Sequence, residues 1–132
     1  MKGYAAISVA FALLAAMPAS AVQLTGCHTP PGYRSLTARA DLPPALQDLF
    51  KDFAMPGEEF NEGDVGGPGH GVIAIWHRGR RWILEAGHGG IALSFDVTAF
   101  DVSADGTSVQ PLPPLKDGAL YCAAVREYAA LR

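Results

Sequence analysis

The chain has 132 residues and a formal net charge of −3, enough for one packed domain and too short for two. The acidic balance excludes the basic stripe that a nucleic-acid surface requires. The one basic cluster, Arg78, Arg80 and Arg81, falls at a hairpin turn, so no nucleic-acid partner is expected.

Residues 1–21 read as a secretory signal peptide. Lys2 gives a minimal basic start, Tyr4 to Met17 is an uncharged apolar run, Pro18 breaks it, and Ala19-Ser20-Ala21 supplies the small residues of a cleavage site. The run falls short of the roughly 18–20 apolar residues needed to span a bilayer. Cleavage would leave residues 22–132 as a single small domain in the periplasm or secreted, and the short leader has a bacterial style. A second signal competes. Leu24-Thr25-Gly26-Cys27 resembles a lipoprotein box, in which Cys27 would be lipidated and would tether the chain to a membrane. It lies several residues beyond the apolar run, whereas such boxes adjoin it. Cys27 and Cys122 are the only two cysteines, and in an oxidising compartment an even count reads as one disulfide. Lipidation of Cys27 would instead leave Cys122 a lone thiol.

After the leader, His28, Pro30, Pro31 and Gly32 argue against a regular element before Asp41. Asp41-Leu42-Pro43-Pro44 opens a short helix, because proline is tolerated in a first turn whose N–H groups have no partner. Leu46, Leu49, Phe50 and Phe53 share one helical face, and Pro56-Gly57 ends the element. Residues 56–71 form a long loop of glycines and acids, including Glu58, Glu59, Glu62 and Asp64; loops of this length in small domains are often functional.

A sheet follows. Val72 to Trp76 and Trp82 to Leu84 are β-rich runs joined by a polar connection containing Gly79, a hairpin signal. Trp76 and Trp82 flank that turn and are expected to form a cross-strand pair within the core. His88-Gly89-Gly90 turns the chain again. From Ile91 the apolar positions alternate through Leu93, Phe95 and Val97, then change parity at Phe100 and Val102, which a bulge near Ala99 would explain. Ala104-Asp105-Gly106 leads into a last strand over residues 107–112. Asp117 can cap a final helix reaching Arg132, with Leu120, Val125, Tyr128 and Leu131 as core contacts. The expected fold is α+β: a four-stranded antiparallel β-meander flanked by an N-terminal and a C-terminal helix, both helices on one face.

Candidate chemistry is sparse. The four histidines are His28, His70, His77 and His88. None has a partner at the helical spacing of a metal site, and His70 and His77 lie at opposite ends of one strand, about 23 Å apart. No metal or other cofactor is expected. There is no Gly-x-Ser-x-Gly elbow, and the glycine-rich stretch before His70 lacks the lysine of a phosphate loop. Glu85 interrupts an apolar strand. A glutamate on the wet face of an antiparallel sheet costs little, while a buried Glu85 acting with His77 or His88 would make a small envelope enzyme.

The run from Phe60-Asn61 through Asp64-Val65 to Trp82 and His88-Gly89-Gly90 resembles a pattern in small exported bacterial proteins of uncharacterised function. The resemblance covers about a third of the chain, and it implies an exported small domain and carries no activity or site residue with it. The reading that follows is a non-enzymatic exported binding domain, of inhibitor or immunity type, for an envelope component or protein partner. Its contact residues are expected at Arg78, Arg80, Arg81, His88, Glu62 and Asp64.

Overall fold

The structure is a computed structural model that describes residues 27–60, 69–89, 94–115 and 121–132. Residues 1–26, which include the expected leader, and Glu62, Asp64, Ile91, Leu93, Asp117 and Leu120 lie outside the described residues. The fold is α+β, with an antiparallel sheet flanked by an N-terminal and a C-terminal helix as expected, and the sheet has five strands. In chain order these are β1 (Arg34–Leu36), β2 (His70–Arg78), β3 (Arg81–His88), β4 (Ser94–Val102) and β5 (Val109–Pro111), each paired with the next. Helix α1 (Pro44–Leu49) lies between β1 and β2, and α2 (Cys122–Ala130) follows β5.

The additional strand is β1. Pro31-Gly32, read from sequence as breaking regular structure, makes a turn closed by the Tyr33 N–H on the Pro30 carbonyl, with Gly32 at φ +78. A proline followed by a glycine at positive φ suits a type II turn, and it delivers the chain onto the edge of β2. Both edge strands have only three residues, and β5 ends at Pro111. Short, proline-ended edges leave little template for pairing with another chain.

The helices cover opposite faces of the sheet rather than one. Leu42, Leu46 and Phe50 from the α1 region pack with Ile75, Trp82, Leu84, Phe100 and Val102. Val125 and Tyr128 of α2 pack with Tyr33, Trp76, Ile83 and Ala99. Successive strand residues point to opposite faces, so a sheet covered on both sides needs apolar residues of both parities. This explains the change of parity in β4 without a bulge: Val97 and Ala99 face α2, and Phe100 and Val102 face α1. The β3–β4 register runs unbroken from Arg81↔Asp101 to His88↔Ser94. The irregularity is in β2 instead, where Val72 pairs with Ala86 and Ala74 with Glu85, leaving Ile73 as the extra residue.

Two side-chain expectations change with this register. Trp76 pairs with Ile83 and Trp82 with His77, so the tryptophans are both buried but lie on opposite faces and do not pair. Leu46 and Phe50 are buried by α1, whereas Leu49 is exposed, as is Leu131 beyond α2. The six residues of α1 present too narrow a stripe to bury Leu49 as well as Leu46.

Cys27 and Cys122 form a disulfide with an S–S distance of 2.04 Å and a Cα–Cα distance of 5.2 Å. This corrects the lipoprotein alternative: neither cysteine is free for lipidation, and membrane tethering through Cys27 is withdrawn. The bridge is consistent with an oxidising, exported environment. It anchors the first residue of α2 to the segment before β1, across 95 positions of sequence. No helix among the described residues is long and apolar enough to cross a membrane.

Candidate functional site: a histidine pair at the end of the sheet

The start of β2 and the end of β3 bring His70 and His88 directly opposite each other. The His70 carbonyl accepts from the Ala54 N–H on its outer side, so this is a non-hydrogen-bonded pair, the kind in which side chains approach most closely. The two Nδ1 atoms are 2.9 Å apart. Asp96 of β4, diagonal to His88, places its Oδ1 3.0 Å from His88 Nε2. Phe53, just after α1, stacks on the His70 ring at 5.1 Å between centroids and meets the His88 ring edge-on at 6.1 Å.

Hydrogen-bond chemistry orders the protons in this chain. A carboxylate only accepts, so His88 Nε2 carries its proton toward Asp96, and the Nδ1 of neutral His88 is left with a lone pair. His70 Nδ1–H then donates to it, and the lone pair on His70 Nε2 is left for other partners. Asp96 thus orients one ring while Phe53 supports the other. His88 is partly exposed, with a side-chain exposure of 30%, and His70 is exposed.

The opposite face of the same sheet end is built differently. Gly71 and Gly87 form the next cross-strand pair, and the Phe60 ring lies over both. A Cβ added at Gly71 would overlap that ring, and one at Gly87 would come within 2.8 Å of Phe60 Cζ. Glycine here provides the close approach, and the aromatic ring fills what the missing side chains leave open.

The expected arginine contacts are engaged within the fold. Arg81 makes a forked pair with Asp101, at 2.6 Å from Nε to Oδ1, and its Nη1 donates to the Tyr128 and Leu131 carbonyls at the end of α2. The Asp101 bond raises the Arg81 pKa, against the lowering effect of burial. Arg78 lies 4.7 Å from the centre of the Tyr33 ring and donates to the Ala129 carbonyl. Arg80 donates through Nε to the Val102 carbonyl at 2.7 Å. Glu58 accepts from the Met55 N–H and holds the turn after α1.

Glu85 is fully buried, not on a wet face. It lies between Ala74 and Val97 on the α2 side. His77 stacks on Trp82 at 4.1 Å, and His88 points to Phe53, both on the α1 side. The sheet itself separates Glu85 from His77 and from His88, so the acid–base pair considered from sequence is not assembled. His28 is exposed near the disulfide.

His70, Phe53 and Asp96 were not singled out together by sequence reasoning. The usable signal is the mirrored His70-Gly71 and Gly87-His88, but counting outward from the turn places His70 opposite Gly89. The extra residue at Ile73 shifts the ladder by one and aligns the histidines. Among the described residues, no group of three or more His, Cys, Asp or Glu side chains is arranged to hold a metal ion. No family model matches the chain, and no curated protein or solved structure shows significant similarity to it.

Proposed function

We propose that the chain is a non-enzymatic binding domain of the periplasm or the secreted space, and that it meets its partner through the sheet end carrying Phe53, His70, His88 and Asp96. The partner is an envelope component or another protein, bound in the manner of an inhibitor or immunity factor. The observation that carries this reading is the hydrogen-bonded Asp96–His88–His70 chain at the surface. Its groups hold one another and present an ordered set of imidazole and carboxylate atoms outward. The arginines instead hold helix ends and strand ends, which favours the histidine end as the contact surface. The separation of Glu85 from both histidines by the sheet weighs against acid–base catalysis by that pair.

Site-specific photo-crosslinking in the native cell envelope tests the assignment. A photoreactive residue at Asp52, beside Phe53, is expected to give a discrete adduct that disappears when His70 and His88 are both changed to alanine. An equal adduct from Glu127, on the exposed side of α2, would place the contact surface elsewhere.

A further inference from the structure

We propose that His70 and His88 form a two-histidine chelate for a tetragonal divalent metal ion, copper(II) foremost, with Asp96 as the residue that positions His88. Sequence spacing gave no reason to expect a metal site; the register of β2 and β3 supplies one. The distance between the two Nδ1 atoms is 2.9 Å. Metal–imidazole bonds of about 2.0–2.1 Å enclosing a right angle put their nitrogens about 2.9 Å apart, whereas a tetrahedral angle would need about 3.3–3.4 Å. A right-angle bite belongs to square-planar and tetragonal ions, copper(II) and nickel(II), and copper(II) is bound most tightly of the first-row divalent series.

The surroundings suit this role. A metal-bound histidine commonly donates its other ring N–H to a carboxylate, which fixes its tautomer and raises its basicity; Asp96 does this for His88. Phe53 holds the plane of the His70 ring by stacking. Rotation of each ring by roughly 45° turns the Nδ1 lone pairs from the line that joins them to a shared point. The Nδ1 proton of His70 leaves as the ion arrives, and its Nε2 takes up a proton from water, so the ring stays neutral and no net proton is released. Two protein ligands leave the remaining equatorial positions to water or to a donor from a partner. A chelate of two nitrogens therefore does not require the three converging side chains that the described residues lack.

The inference takes its location from the proposed contact surface but is tested separately, since copper titration needs no partner and crosslinking needs no added copper. The disulfide-intact protein is titrated with copper(II) by calorimetry and examined by electron paramagnetic resonance. One equivalent is expected, with two equatorial imidazole nitrogens. H70A and H88A should each leave one nitrogen and weaken binding at least tenfold, while D96A should weaken it about tenfold with both nitrogens retained. H28A and H77A should leave the spectrum unchanged. Urea midpoints of the variants establish that each is folded, and H70Q and H88Q replace any alanine variant that is not. A parent spectrum with one imidazole, or binding that survives H70A and H88A unaltered, would overturn the proposal.

Discussion

Replacing Arg81 with alanine separates a structural from a contact role for the hairpin arginines. The Arg81 side chain is 13% exposed and Asp101 39%, so their forked pair contributes about 0.5–1 kcal/mol after solvent screening. The two bonds to the Tyr128 and Leu131 carbonyls contribute about 1 kcal/mol each, and the packed alkyl stem adds to this. R81A should therefore destabilise the fold by about 2–4 kcal/mol, because the end of α2 and Asp101 lose their common donor at once. R81K should recover less than half, since an ammonium cannot reproduce the fork. R80A, which removes one bond from an exposed side chain, should cost about 1 kcal/mol or less. Urea unfolding followed by tryptophan emission suits the measurement, because Trp76 and Trp82 are both buried. A cost for R81A below about 0.5 kcal/mol, or one no larger than that of R80A, would refute this account of the cluster.

Three further outcomes rest on other parts of the fold. Changing Cys27 and Cys122 to serine opens a loop spanning 95 positions, for which chain entropy gives at most about 4–5 kcal/mol; a measured loss under about 1 kcal/mol in urea would show that α2 docks without its anchor. G71A should cost about 1–3 kcal/mol by displacing Phe60, and much less in an F60A background; additivity of the two in a double-mutant cycle would mean that the ring does not rest on the glycine pair. Asp105 accepts bonds from the Ser103 hydroxyl and from the hydroxyl and N–H of Thr107, which hold its pKa at about 2 against an ordinary 3.8. Because the folded pKa is the lower one, its contribution is complete above the ordinary value and is lost as pH falls through about 2. D105N should flatten the acid limb of stability over that window, and an unchanged acid limb would count against the assignment.

The fold class was legible because its signals are local. Alternation of apolar residues, Gly79 in a short connection, and prolines at Pro43 and Pro44 each act within a few residues of where they stand. Which helix covers which face is not local. The change of parity at Phe100 was visible, but a bulge and a second covered face produce the same pattern in one strand. The unbroken β3–β4 register decides for the covered face. Glu85 was misplaced for the same reason: a glutamate within an apolar run suggests a wet face only if the sheet has one, and α2 removes it.

The candidate site shows the limit more sharply. Arg78, Arg80 and Arg81 drew attention as a charge cluster, yet a helix ends with unpaired carbonyls and favours a cation beside them. Arg78 and Arg81 meet the last turn of α2, and Arg39, which sequence reasoning passed over, holds the turn that follows α1 by donating to the Phe50 and Phe53 carbonyls. A basic residue in a small two-helix domain therefore has a structural use wherever a helix end approaches it, and charge alone does not distinguish that use from binding. The histidines present the converse. Each is unremarkable in sequence, and their meeting depends on Ile73 standing outside the ladder. Were Ile73 paired within the ladder, His70 would stand opposite Gly89, and Asp96 would orient a single isolated imidazole. Deleting Ile73 removes only the unpaired residue, so Ala74↔Glu85 would be followed directly by Val72↔Ala86, and both the histidine pair and the hairpin turn at Gly79 should survive. An amide spectrum with the turn preserved and copper(II) still held by two imidazoles would support this register; binding reduced to one imidazole after the deletion would refute it.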